Sequence, residues 1–205
     1  MEPGSRVDVY LFFSFDLVGS SRLKERSFDR FHWVDLIQYF YSECRRLVAV
    51  NGVQNAAVWK YLGDEVLFYQ RIGTAYQVEH SIRAIDRVLH TFMRELGESA
   101  KYAGAAASIS IRTTAWLATV RSYTEDVSPK MAALVATLEE AQLLTDNQLL
   151  DDRENHLVDF LGPDIDAGLA LRTTARELQI TISLELADFL RGSDRPILDA
   201  IIEAG

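Results

Sequence analysis

The stretch FFSFDLVGSS (residues 12–21) decides the fold of this 205-residue chain, together with VWKYLGDEVLF (residues 58–68). Each is an apolar, β-prone run that carries an aspartate at its end or in its turn, Asp16 in the first and Asp64 in the second. Aspartate is disfavoured inside strands and is rarely buried unless it is paired or bound to a metal. The two aspartates therefore predict one shared site for a hard divalent cation such as Mg²⁺ or Mn²⁺. Phosphoryl transfer from a nucleoside triphosphate is a chemistry that needs such a site.

The overall charge limits the partners of the chain. The formal net charge is −9, whereas a nucleic acid polymer is bound through a basic surface. We therefore expect no DNA or RNA partner. A single nucleotide remains compatible with this charge, because a bound metal inverts the local sign.

Cysteine usage and hydropathy indicate the compartment. Cys44 is the only cysteine, so the chain forms no intrachain disulfide and no cysteine-based zinc site. The apolar stretch 7–18 is too short to span a bilayer and contains Asp8 and Asp16. No signal-peptide order precedes it. We expect a cytoplasmic protein that makes no membrane contact.

Hydrophobic periodicity predicts one α+β domain over residues 1–205, with 48% hydrophobic residues to form its core. The predicted strands are residues 7–17, 56–62, 65–70, 108–120 and 180–184. The predicted helices are residues 28–50 after an N-cap at Ser27, 76–96 ended by Gly97, 131–150 and 164–178. Residues 156–161 are expected to be extended, and residues 19–21 and 63–64 to form turns. This order predicts a ferredoxin-like β-α-β-β-α-β core.

Three segments taken together resemble the class III nucleotidyl cyclases: FDLVGS (residues 15–20), KYLGD (residues 60–64) and DFLGPDID (residues 159–166). The resemblance implies a class III cyclase-like domain that is active as a dimer. It further implies that Asp16, Asp64 and the backbone carbonyl of Leu17 bind two divalent cations, with Mn²⁺ favoured and Mg²⁺ possible. Glu65 is interpreted as a strand residue rather than as a third ligand.

The same resemblance assigns the substrate contacts. Lys60 and Asp159 match positions that read the edge of the base, and Phe15 and Gly19 are substrate-binding candidates. Sites in this family form between two subunits, so the resemblance implies a homodimer in which Lys60 and Asp64 of one chain serve different sites.

The chain departs from the family in the third segment. Asp166 stands where the family has an asparagine, and Ala170 stands where it has the transition-state arginine. Arg172 follows two residues later, about 200° around a helix of 3.6 residues per turn. Asp166 and Arg172 are the remaining catalytic candidates of this segment. Asp166 is at least as well explained by the dipole at a helix start.

The compact chain and its sequence motif GPDIDAG (residues 162–168) resemble the stand-alone pyrimidine cyclases of bacterial Pycsar antiphage systems. This resemblance implies a lyase that converts UTP to cyclic UMP, a second messenger for a separate effector protein in antiviral defence. The side chains leave the base open, because a lysine donor and an aspartate acceptor also suit cytosine or adenine. Trp59 and Tyr61 are expected on the strand face opposite Lys60.

Three other functions compete with a uridylate cyclase. They are a cytidylate cyclase, an adenylate cyclase, and a non-catalytic cyclase-like sensor that binds a nucleotide. The missing asparagine and arginine favour the sensor, whereas the retention of both metal aspartates argues against it.

Overall fold

The computed structural model describes residues 6–26, 30–122 and 160–192, and it centres on a five-stranded sheet. The strands are β1 (Arg6–Val18), β2 (Ala56–Leu62), β3 (Glu65–Ile72), β4 (Ser110–Ser122) and β5 (Ile180–Ile182). The helices are α1 (Ser20–Arg26), α2 (Arg30–Val50), α3 (Ala75–Glu98), α4 (Ala103–Ala106), α5 (Pro163–Ala170) and α6 (Leu184–Arg191). A short 3₁₀ turn, Leu171–Thr173, follows α5.

The sheet is built around β1, which is antiparallel to β3 on one side and to β4 on the other. β2 and β3 form an antiparallel hairpin at one edge, and β5 lies parallel to β4 at the other. The strand order is β2-β3-β1-β4-β5. Because β1 is central, both of its faces are covered over most of its length, which explains its run of large apolar residues.

Alternate residues of β1 serve two different cores, as the period of two in a strand requires. On one face Leu11, Phe13 and Phe15 pack with α2 and α3 in the main core, and each is fully buried. We call this side of the sheet the helix face. A capping box at Thr74 and Gln77 fixes the start of α3, one of the helices on this face.

The opposite side of the sheet carries a second, aromatic core around Phe12. Its buried members are Phe12, Trp59, Leu67, Trp116, Ala118, Phe160 and Ile165. The rings of Phe12 and Trp116 stack with centroids 5.4 Å apart. Helix α5 covers this core through Ile165, and we call this side the site face because the charged residues described below share it.

The strongest sequence predictions are confirmed. β1 exceeds the predicted strand by one residue at each end, the 56–62 strand is reproduced, and β3 extends to Ile72. The predicted helix 76–96 is present as α3, although Gly97 does not end it and the helix continues to Glu98.

Other boundary predictions are wrong. Helix α1 was not predicted, since only turn chemistry was expected there. The predicted helix 164–178 ends as an α-helix at Ala170 and tightens to the 3₁₀ turn. The predicted strand 180–184 stops at Ile182, because the Ser183 side chain accepts the Leu186 amide and starts α6. The predicted helix 131–150, the Ser27 cap and residues 156–159 lie outside the described residues.

None of the helices in the described ranges has the length and apolar character that crossing a membrane requires.

Candidate active site

Three charged side chains meet on the site face at the end of β1. Asp16 of β1 lies directly opposite Glu65 of β3 and opposite Arg112 of β4 in the strand register. Directly opposed residues on adjacent antiparallel strands project to the same side of a sheet. The register therefore places two carboxylates and one guanidinium in a single row across three strands.

Arg112 is the immediate partner of Asp16. Its Nε donates to Asp16 Oδ2 at 2.9 Å, and its Nη2 donates to the same oxygen. Burial nevertheless raises the pKa of Asp16 above its ordinary value, against the hydrogen bond and charge of Arg112, which lower it. The charge of Asp64 raises the pKa of Asp16 further, and the charge of Arg172 lowers it. Asp16 thus lies within the electrostatic reach of three other charged residues.

Asp64 lies in the β2–β3 turn, which is fastened to the end of β1. The Leu17 amide donates to the Asp64 carbonyl at 2.9 Å, and the Ser20 hydroxyl donates to the Asp64 carboxylate. Gly63 adopts a left-handed φ of 69°, which favours glycine at this position of the turn. Tyr41 of α2 donates its hydroxyl to the Gly63 carbonyl, and burial raises the pKa of Tyr41, so this donor keeps its proton.

The residues at the end of β1 offer oxygen ligands of the kind that a divalent cation prefers. Within the described ranges no cluster of three or more His, Cys, Asp or Glu side chains is arranged to hold a metal. The site instead offers the paired carboxylates of Asp16 and Asp64. Mg²⁺ is commonly bound by one or two carboxylates together with substrate phosphates and water. A positive charge is already accommodated here, since Arg112 lies against Asp16.

Glu65 and Arg172 form a second ion pair beside the first. Glu65 is a residue of β3, as predicted, and its side chain is only 5% exposed. Its Oε2 accepts from Arg172 Nη1 at 2.6 Å, whereas its buried Oε1 has no hydrogen-bond partner among the described residues. Arg172 Nε also donates to the Leu169 carbonyl at 2.9 Å. Arg172 is therefore brought to the site from the far end of α5.

Asp166, the other catalytic candidate of the third segment, lies apart from these ion pairs. The Asp166 side chain is exposed and makes no hydrogen bond or ion pair within the described part of the chain. Its amide donates to Gly162 in the first turn of α5, where a carboxylate complements the helix dipole. Its neighbour Asp164 accepts from the Thr119 amide and hydroxyl.

A β-bulge alters the prediction made for the neighbours of Lys60. The β2–β3 register shifts between Val58 and Lys60, so the extra residue Trp59 joins the aromatic core on the site face. Lys60 Nζ lies 5.1 Å from the Trp59 ring centroid. The expectation that Trp59 points away from Lys60 is wrong, whereas Tyr61 packs in the core of the helix face, as predicted.

The remaining substrate-binding candidates are placed as follows. Phe15 is fully buried in the core of the helix face, where its ring packs near Phe13 and Phe68. Gly19 has a φ of 89°, and a Cβ added there would overlap the Ser108 carbonyl oxygen. The chain at Gly19 therefore turns sharply from β1 into α1. Asp159 lies outside the described residues.

Sequence reasoning missed Arg112 and Ser20. Their roles depend on which residues face each other across the sheet and across the turn, which periodicity along the chain does not contain. One signal was available for Arg112, because it is the only charged residue in the predicted strand 108–120.

No protein-family model matches the chain, and no curated protein matches it. Solved structures do match. The adenylyl cyclase CyaB from P. aeruginosa has a TM-score of 0.62 at 13% identity, over 91% of this chain and 82% of that one. The guanylyl cyclase Cya2 has a TM-score of 0.63 at 11% identity, over 94% and 82%.

A third similar structure is the catalytic core of a rhodopsin–guanylyl cyclase with converted specificity in complex with ATPαS. It has a TM-score of 0.59 at 13% identity, over 92% of this chain and 84% of that one. Such low identities establish the fold alone. The chain has a class III cyclase-like α+β fold.

Proposed function

We propose that this protein is a metal-dependent nucleotidyl cyclase that forms a 3′,5′-cyclic monophosphate and pyrophosphate from a nucleoside triphosphate. The observation that carries the proposal is the pairing of Asp16 and Asp64. They come from separate segments and are held together at the end of β1 on a cyclase-like fold. The similar structures are adenylyl and guanylyl cyclases, and a further one, the guanylate cyclase domain of RhGC from Catenaria anguillulae, is in complex with GTP.

The reaction requires little side-chain chemistry. The ribose 3′-oxygen attacks the α-phosphorus, the bond from that phosphorus to the bridging oxygen breaks, and its electron pair leaves with pyrophosphate. The 3′-hydroxyl proton passes to water. Two divalent cations, when bound, lower the pKa of the 3′-hydroxyl and neutralise phosphate charge. In the proposal Asp16, Asp64 and the Leu17 carbonyl hold these cations.

In the proposal, the guanidinium of Arg112 contacts Asp16 in the free protein and the triphosphate in the substrate complex. In the structure its guanidinium is held by Asp16. A cation bound to Asp16 would compete for the same carboxylate, and Arg112 would then be available to contact the phosphates. Arginine matches the geometry of phosphate oxygens with its planar fork of donors. We therefore assign Arg112 to the triphosphate.

We further propose a homodimer, with Lys60 and Asp159 of one subunit reading the base that is bound over the metal carboxylates of the other. One similar guanylyl cyclase domain is described as a non-canonical dimer, and another structure of that domain is monomeric. In this arrangement every site draws on two chains, so subunits defective in different halves complement each other.

UTP is the proposed substrate, and cyclic UMP is the proposed messenger to a separate effector in antiphage defence. The bulge brings the Trp59 indole to the face of Lys60. In the proposal this ring narrows the base site, so that a pyrimidine is accommodated more readily than a purine. CTP fits the same volume and is the second candidate.

The deciding experiment incubates the purified protein with UTP, CTP, ATP and GTP separately, in Mn²⁺ or Mg²⁺, and identifies products by mass spectrometry. We expect cyclic UMP and pyrophosphate, with CTP slower and the purines slower still. The Asp64→Asn variant and a reaction with EDTA serve as controls. A preference for CTP would change the base, and a preference for ATP would make the protein an adenylate cyclase. Nucleotide binding without any product would instead support the non-catalytic, nucleotide-binding sensor.

A further inference from the structure

Arg172 enters the candidate site from its own subunit. It follows α5 in the Leu171–Thr173 turn, and its Nε bond to the Leu169 carbonyl holds the guanidinium against the end of that helix. Its Nη1 donates to Glu65, which is the direct β3 neighbour of Asp16. Arg172 is thereby fixed beside a carboxylate that the proposed function assigns to metal binding in the same chain.

Two of the three nitrogens of the Arg172 guanidinium are anchored. Nε and Nη1 are used, while Nη2 makes no hydrogen bond within the described part of the chain. The side chain remains 38% exposed although Glu65 is almost completely buried. An arginine with free donors beside a carboxylate pair is suited to bind an oxyanion that arrives there.

Ala170 occupies the expected arginine position and is exposed. No guanidinium can therefore act from that position.

We propose that Arg172 acts in cis, on the triphosphate bound over the Asp16 and Asp64 of its own subunit, with Glu65 as its positioning residue. This inference rests on the proposed cyclase function. In it, the free Nη2 donors of Arg172 bind non-bridging oxygens of the α-phosphate and of the leaving pyrophosphate. The positive charge stabilises the electron pair that moves onto the bridging oxygen when the bond to the α-phosphorus breaks.

A purely structural role for Arg172 would be the neutralisation of buried Glu65. The two roles are separated by the double variant Glu65→Gln/Arg172→Gln, which removes both charges and leaves no unpaired buried ion. If Arg172 acts on the substrate, kcat falls by about a hundredfold or more while Tm stays near that of the wild type. Recovery of wild-type kcat in the double variant would overturn the proposal. Arg176→Gln, an exposed change four residues along, is the matched control.

The cis arrangement is tested with heterodimers that carry two different tags and are purified through both. Pairing Asp64→Ala with Lys60→Ala should restore about half of the wild-type activity, since one of two symmetric sites is intact. Pairing Asp64→Ala with Arg172→Gln should stay at background, because the Arg172 defect and the Asp64 defect then disable separate sites. Equal recovery in both pairs would place Arg172 across the interface and contradict the proposal.

A binding measurement separates this inference from the proposed function. Calorimetry with Mn²⁺ and pyrophosphate should show about tenfold or more weaker pyrophosphate binding by Arg172→Gln and by the double variant, with Arg176→Gln unchanged. Absence of any cyclic product from the wild type would refute the cyclase function while this binding difference stood. Unchanged pyrophosphate affinity in Arg172→Gln would refute the role of Arg172 whether or not the chain is a cyclase.

Discussion

Arg112 donates two hydrogen bonds to one oxygen of Asp16, its direct neighbour across the β1–β4 ladder. A buried carboxylate without a partner is strongly disfavoured, and Arg112 supplies the compensating charge in the absence of a metal. The same contact makes Arg112 a competitor of any cation that binds Asp16. In the proposed function, metal binding and release of Arg112 are therefore coupled, in the manner of two ligands that share one acceptor.

We expect Arg112→Ala to bind Mn²⁺ alone more tightly than the wild type, because Asp16 loses its internal competitor. The same change should weaken triphosphate binding by about tenfold or more, since a charge-assisted phosphate contact is lost. Electron paramagnetic resonance of free Mn²⁺ measures the first effect, and calorimetry with a non-cyclising triphosphate analogue measures the second.

Arg71→Ala is the matched control for Arg112→Ala. Arg71 forms an ion pair with Asp8 between β3 and β1 at the opposite end of the sheet, at 2.7 Å. We expect its replacement to leave both affinities unchanged. Weaker Mn²⁺ binding by Arg112→Ala would contradict the competition and would mean that Arg112 serves only to keep Asp16 ionised.

Replacement of Asp16 or Asp64 by Asn should abolish cyclisation while the chain stays folded. Each change removes a charge that the proposed metal pair requires but almost no volume. Product formation at saturating Mn²⁺ measures the loss, and circular dichroism confirms the fold. Asp166→Asn is the comparison within the predicted site, and we expect only a small effect because its side chain is exposed and unpaired in the described part of the chain. Full activity in Asp16→Asn or Asp64→Asn would end the metal assignment.

Gly168 should tolerate no side chain, because a Cβ added there would overlap the indole ring of Trp116. Gly168→Ala should therefore lower the free energy of unfolding by about 1–3 kcal/mol through overpacking between α5 and β4. Gly97→Ala is the control in α3, where a Cβ meets no atom of the described residues within 4 Å. That change should stabilise the chain by about 0.5–1 kcal/mol. Denaturant unfolding compares the two, and equal stabilisation by both alanines would show that α5 can move away from Trp116.

The central strands and the hairpin were predictable because their signals are local. β1 alternates between two buried faces over thirteen residues, and the turn at Gly63 and Asp64 has a recognisable composition. The pairing of Asp16 with Asp64 followed from these two elements together with the family resemblance. The third segment contributes Phe160 and Ile165 to the aromatic core, while Asp159 lies outside the described residues.

The errors occur where a single residue changes the geometry. One extra residue in β2 turns Trp59 onto the site face, and strand periodicity does not encode such a bulge. The estimate of 200° between Ala170 and Arg172 assumed a continuous α-helix, whereas the chain tightens into a 3₁₀ turn at Leu171. The ion pair of Arg172 with Glu65 depends on that turn and on a contact between residues 107 positions apart.

The last prediction concerns the pH dependence of stability in the absence of metal. Burial raises the pKa of Asp16 above its ordinary value of 3.8, so the folded chain holds this proton more tightly than the unfolded chain does. Where the folded state binds more protons than the unfolded state, stability falls as the pH rises. The stabilising effect of the protonated Asp16 is therefore complete below the ordinary pKa and is lost as the pH rises through the raised one.

Asp16→Asn cannot ionise, so it isolates this effect. Urea unfolding of both proteins, metal-free, should show the wild type losing stability relative to Asp16→Asn as the pH increases from about 3 toward 7, with no further change once Asp16 is ionised. Saturating Mn²⁺ at neutral pH should stabilise the wild type but not the variant, because an ion that binds only the folded state adds to its stability. If the wild type instead gained stability relative to Asp16→Asn with rising pH, the hydrogen bonds from Arg112 would outweigh burial at Asp16. The carboxylate would then be held ionised by Arg112 before any metal binds.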